Sequence, residues 1–148
     1  MDTGYLACSN VGVRSCYEPA LLVESGKLKV ESFGMGNNVQ DKSFKFAIRI
    51  VNLYKLMCHE RKEYVLSKQV LRSGTSIGAN VTEAQQAQSK ADFRSKLNIA
   101  LKETTETKYW LRLLAETDYL TEEEYESILA DCIEIEKILV ASVKSLKQ

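Results

Sequence analysis

Ser76, Asn80 and Glu83 stand four and three residues apart in a stretch of helical period. This sets a hydroxyl, an amide and a carboxylate on one helix face, beside the apolar stripe Ile77, Val81 and Ala84. A polar set of this kind holds a helix or a subunit in register when it is half-buried and fully hydrogen-bonded. The same three groups can instead contact a ligand or nucleic acid, or assist a reaction. Arg72, one helical turn before Ser76, adds a cation that could pair with an acid of a neighbouring subunit, Glu83 or Glu106. The register reading is preferred, because the groups a reaction would need are not in the sequence.

The one histidine, His59, follows Cys58 at a predicted helix end. It lacks the Glu-x-x-His spacing of di-iron bundles and cannot serve a Ser/His/Asp set. No Walker sequence and no Rossmann glycine fingerprint occurs. The four cysteines, Cys8, Cys16, Cys58 and Cys132, have no CxxC spacing, and with a single histidine they make a poor metal set. They read as reduced thiols, with Cys58 and Cys132 at core-compatible helical positions as small buried hydrophobes. No cofactor or metal is expected.

Gly74 and Gly78 fall in the same stretch as the polar face. Glycine inside a helix costs about 1 kcal/mol relative to alanine, so two glycines a turn apart indicate a close approach to this backbone by another helix, and the segment points to assembly.

The chain divides near residue 35. Residues 1–40 hold the only proline, Pro19, and five of the 7 glycines, without a sustained period. They read as a poorly structured, irregular N-terminal extension, with one brief alternation from Lys27 to Glu31 that suits a short strand. Met35 stands directly before a polar lead-in, which suggests a natural start there and an upstream extension before it.

Residues 41–148 stay helical throughout. Helix one is predicted over 43–59, capped by Ser43, with Phe44, Ile48, Val51 and Met57 at apolar positions. Its other side, Phe46, Ile50 and Leu53, is apolar too, so this helix should be buried on more than one face. Glu60 to Glu63 reads as a charged, solvated turn. Helix two is predicted over 64–88, with Leu66, Val70, Ile77, Val81 and Ala84 at core spacing. Ser89 to Asp92 has the form of a capping box opening helix three, which runs to about 117 through Phe93, Leu97, Leu101, Thr104, Leu111 and Leu114. Thr121 to Glu124 is a second box, opening helix four through Tyr125, Leu129, Cys132, Ile135, Leu139 and Leu146. Four helices with short links make an all-α, antiparallel up-down four-helix bundle.

Composition narrows the function classes. The 20 Lys and Arg balance the 20 Asp and Glu, so no global charge advertises nucleic acid, although a local patch can still do so. Helix three carries Lys90, Arg94, Lys102, Lys108 and Arg112 as candidate nucleic-acid contacts. Trp110, among leucines, reads as packing. No apolar run spans a membrane and the N-terminus lacks the pattern of a secretion signal, so a cytoplasmic protein is expected.

Ser73 to Ala84, followed by Asp92-Phe93, Leu97 to Leu101 and Glu106 to Leu111, resembles the four-helix bundle proteins encoded in intervening sequences of bacterial 23S ribosomal RNA genes. The resemblance covers residues 41–148. Its motif falls on Ser76, Gly78, Asn80 and Glu83 in helix two and on Glu106, Tyr109, Trp110 and Leu111 in helix three, with no catalytic role implied for any of them. It implies a homopentameric ring or barrel. It extends distantly to the accessory variability protein of diversity-generating retroelements, which partners a reverse transcriptase and nucleic acid. The expectation is therefore a non-catalytic protein that assembles with itself and serves as an adaptor for RNA, DNA or a nucleic-acid enzyme. A purely structural oligomer with a protein partner and a small-ligand-binding bundle enzyme are the alternatives. Cyclic assembly would multiply the basic stripe of helix three, so a neutral protomer could still present a positive rim.

Overall fold

The computed structural model describes residues 37–146. Four helices, α1 (Asn37–His59), α2 (Leu66–Ala84), α3 (Lys90–Glu116) and α4 (Glu122–Ser145), form an antiparallel up-down bundle. Each helix packs on the next and α4 closes on α1, where the contact is the sparsest. Facing residues give the directions. Gly74 lies against Ile50 and Gly78 against Ser43, so α2 runs down as α1 runs up. Arg72 meets Glu106 and Glu83 meets Lys96, so α3 reverses again. No strand occurs among the described residues. The Lys27 to Glu31 alternation, the proposed start at Met35, and Cys8 and Cys16 lie outside them.

The core is built from the inward stripes: Phe46, Ile50 and Met57 of α1, Val70, Ile77 and Val81 of α2, Phe93, Leu97 and Leu111 of α3, Cys132, Ile135 and Leu139 of α4. Burying one such large aliphatic or aromatic side chain is worth about 1.5–3 kcal/mol, so the core dominates the stability of helices whose own propensity is modest. The buried hydroxyls of Ser73, Thr104 and Thr107 are hydrogen-bonded within the bundle. Thr107 shares its hydroxyl between the Glu103 carbonyl at 2.7 Å and Ser73 Oγ at 3.0 Å.

Helix α1 departs from expectation in two ways. It starts at Asn37, more than a turn before the predicted cap, so residues 37–40 belong to the bundle and not to the extension. The reason is Val39, which is 1% exposed and carries the inward stripe back one turn from Ser43 and Phe46. Ser43 is therefore buried inside the helix, its Oγ donating to the Gln40 carbonyl at 3.0 Å. Only one of the two apolar sides faces the core. Phe46, Ile50, Leu53 and Met57 turn inward, while Phe44 and Ile48 are 57% and 47% exposed.

The connections differ from the sequence reading as well. Glu60 to Glu63 is not a solvated turn. Glu63 is 6% exposed, and its carboxylate accepts the backbone N–H groups of Val65, Leu66 and Ser67 at 2.9, 2.7 and 2.7 Å. Those are the free donors of the α2 N-terminus, so α2 begins at Leu66 rather than residue 64. At its other end α2 stops at Ala84, because the N–H groups of Gln85, Gln86 and Ala87 bond three residues back and tighten the chain out of the helix. Ser89 caps α3 by accepting from Asp92 N, but Asp92 returns its carboxylate to Gln88 N, so only half of the predicted box forms. Thr121 and Glu124 complete theirs reciprocally. Lys62 and Asp118 take the left-handed conformation, φ 56° and 61°, at the two turns of one end of the bundle.

Candidate functional site

The glycines of α2 serve a helix of their own chain. A β-carbon at Gly74 would lie 2.8 Å from Cγ1 and 2.9 Å from Cγ2 of Ile50, and one at Gly78 would lie 3.3 Å from the Ser43 carbonyl oxygen. The close approach read from the sequence is thus the α1–α2 packing, and these two residues are fully explained without a second subunit. Ser76, Asn80 and Glu83 line the outer side of α2. Asn80 Nδ2 donates to the Ser76 carbonyl at 2.9 Å, and Glu83 pairs with Lys96 of α3 at 2.5 Å.

Arg72 likewise finds its acid within the chain, donating to Glu106 Oε1 at 2.8 Å. The same oxygen accepts from Trp110 Nε1 at 3.2 Å. Trp110 packs partly against the core as expected, with Tyr109 edge-on to it at a centroid distance of 4.9 Å. Glu103, one turn back, has a buried Oε2 without a hydrogen-bond partner. Burial, and then the charge of Glu106, raise its carboxyl above the ordinary value against the opposing pull of Arg72. The cluster is a cross-helix polar clasp. It lines neither the α3 recess nor the α1–α4 groove.

The five candidate nucleic-acid contacts among the cations of α3 separate into two groups. Lys108 is held by both carboxylate oxygens of Glu136 at 2.7 Å, and Arg112 lies 3.6 Å from Glu116 on the next turn. Lys90, Arg94 and Lys102 form no ion pair among the described residues. Arg94 and Lys102 line a shallow recess of about 340 Å³ with Ala91, Ser95, Asn98 and Ile99. Helical spacing places the 60% exposed Tyr109 further along that side.

A second, more apolar recess lies where α1 and α4 meet loosely. It measures about 520 Å³ and is floored by Leu53, Leu56 and Ile128 between Arg49, Asn52, Glu123 and Ser127. Arg49 closes one end through Asp131 and Ser127. At the other end Arg61 grips Glu124 with two bonds of 2.8 and 2.7 Å and also donates to the Tyr119 carbonyl, tying the α1–α2 turn to the start of α4. Sequence reading missed this groove and both clamps, since residues 58 or more positions apart carry no local signal.

The cysteines fit a structural role unevenly. Cys58 is half-buried, whereas Cys132 is fully buried, its thiol donating to the Thr104 carbonyl at 3.7 Å. Burial pushes the Cys132 thiol up to about 12, with Lys108 opposing and Glu136 and Asp131 reinforcing. At neutral pH an alkylating reagent should modify Cys132 only when denaturant is added. Peptide mass spectrometry checks this; rapid labelling of Cys132 in the folded protein would contradict its placement. His59 is exposed at the last turn of α1, and no cluster of three metal-ligating side chains occurs among the described residues. No helix there is long and apolar enough to cross a membrane.

No curated protein matches the sequence. Among solved structures, one described as a protein with unknown function from the S23 ribosomal protein family of Bacteroides thetaiotaomicron VPI-5482 matches with a TM-score of 0.73. It is 64% identical, over 73% of this chain and 96% of that one. The model of the 23S rRNA-intervening sequence protein family matches residues 36–141. That match spans all but the last turn of the bundle described above, and the chain belongs to this family.

Proposed function

We propose that this chain is a non-catalytic, self-assembling bundle that works in the cytoplasm as an adaptor for nucleic acid or for an enzyme acting on it. The observation that carries the reading is the outer side of α1, where Phe44 and Ile48 are 57% and 47% exposed. A phenylalanine and an isoleucine a turn apart on a solvent face, each about half exposed, forgo roughly half of the 1.5–3 kcal/mol that full burial is worth, and a copy of the same chain that covers them recovers it. The ring of five that the family resemblance implies would place such a contact between every pair of neighbours. It would also align five copies of the α3 face bearing Lys90, Arg94 and Lys102, whose charges have no acid partners within the described residues.

Light scattering on the full chain, purified at low salt without nuclease, tests both halves. A mass near five protomers is expected, with an elevated 260 to 280 nm absorbance ratio. Phe44→Glu with Ile48→Glu should give a helical monomer. Arg94→Glu with Lys102→Glu should keep the mass, shed the nucleic acid and lower the salt slope of binding by about 2. A wild-type monomer overturns the assembly reading. An assembled protein that binds no nucleic acid leaves a structural oligomer with a protein partner.

A further inference from the structure

Two apolar features at one end of the bundle have no partner among the described residues. The first is the corner that leads into α2, where Tyr64 and Val65 are 54% and 71% exposed. Glu63 fixes this corner from beneath, because its carboxylate holds the N–H of Val65 itself as well as those of Leu66 and Ser67. The two side chains are therefore presented on an anchored backbone rather than on a free loop. The second feature is the α1–α4 groove of about 520 Å³ floored by Leu53, Leu56 and Ile128.

Their charges are complementary. Lys62 and Lys68 flank the corner, and Glu122, Glu123 and Glu126 stand at the groove end of α4. All five are exposed and none forms an ion pair among the described residues. Both features also stand toward the same end of the bundle. The bonds from Arg61 to Glu124 and to the Tyr119 carbonyl hold the corner's turn and the start of α4 at the same end. Their directions differ, since the corner joins α1 to α2 while the groove opens between α1 and α4.

We infer that the Tyr64–Val65 corner of one copy seats in the α1–α4 groove of the next copy. This rests on the assembly reading above and names its contact. One flat two-fold interface cannot hold two features that open on different sides of the bundle, so the contact is head-to-tail. A head-to-tail contact repeats from copy to copy, and it closes as a ring where the rotation between neighbours divides a full turn. Phe44 and Ile48 continue along the outer side of α1 from Asn52 and Leu56 of the groove wall, at intervals of four residues. The seated neighbour would cover that side too.

The test uses two full-length variants. Tyr64→Ser with Val65→Ser removes the corner, at positions whose exposure leaves the fold intact, and Asn52→Trp fills the groove. Each alone should associate about a hundredfold more weakly than wild type, or worse, given the apolar area lost. Each should run as a monomer of unchanged helicity in light scattering and circular dichroism. Mixed, they retain one good corner and one good groove and should form a 1:1 heterodimer that cannot grow. Lys68→Glu should weaken assembly and Glu123→Lys should restore it. In the unaltered assembly, a photo-crosslinker placed at residue 64 should label residues 49–56 or 123–128 of an isotopically distinct copy. A corner variant that keeps the wild-type mass, a mixture that stays monomeric, or crosslinks confined to other helices would overturn the contact and leave assembly standing. A monomeric wild type overturns both.

Discussion

Gly74→Ala should destabilise the bundle, although alanine is the better helix former by about 1 kcal/mol. The β-carbon would sit 2.8 and 2.9 Å from Cγ1 and Cγ2 of Ile50. Both atoms branch directly from the Ile50 β-carbon, and Ile50 is 0% exposed, so no single rotation carries both of them away. Overpacking of this kind costs about 1–3 kcal/mol, which leaves a net loss of up to about 2 kcal/mol. Ile50→Ala alone should cost about 2–5 kcal/mol by opening a cavity. In that background the sign at Gly74 reverses: the new methyl group enters vacated space and the helix-propensity gain stands unopposed. Urea unfolding of the four proteins, followed by circular dichroism, gives the cycle, with a coupling of about 1–3 kcal/mol expected. Additive effects would mean that Gly74 and Ile50 do not meet.

The same pair marks what could and could not be read from the chain. Two glycines a turn apart announced a close helix, but a close approach has the same sequence signature whether the other helix belongs to the same chain or to another. The caps of α3 and α4 and the core stripes of α2 and α3 were legible because each is written within a few residues of its effect. Helix α1 was ambiguous for the opposite reason. Phe44 and Ile48 share its helical period with Phe46 and Ile50, and only the position of the other three helices decides which pair is buried. Arg72 with Glu106 was named as a candidate pair, yet placed between subunits, because spacing along a sequence does not distinguish intramolecular from intermolecular reach. Glu63 was the least legible residue. It lies in a run of four charges that reads as solvent-facing, and its burial follows from the backbone donors it satisfies.

Glu63→Ala should be among the most damaging single charge removals in the bundle, at about 2–4 kcal/mol. An ordinary capping side chain is worth about 1 kcal/mol, but this carboxylate serves three backbone donors at once, and those left buried without acceptors add about 1–3 kcal/mol. Glu63→Gln should fall between the two proteins, because an amide keeps one acceptor and turns a donor toward the Ser67 N–H. The pH dependence has a definite sign. Burial alone would raise the Glu63 carboxyl, but the bonds from Leu66, Ser67 and Val65 outweigh it and hold the group below its ordinary value of 4.5. The unfolded chain therefore takes up the proton first. The contribution of Glu63 is present above pH 4.5 and is lost as the pH falls through the depressed folded value. Glu124 acts in the same direction, held low by Arg61 and then by the Thr121 N–H. Glu103 opposes them, since its raised carboxyl favours the folded state most when protonated. Unfolding curves between pH 7 and pH 3 should show wild type losing stability more steeply than Glu63→Ala, so that the two converge in acid. Parallel curves would mean that the Glu63 carboxylate is not holding the α2 N-terminus.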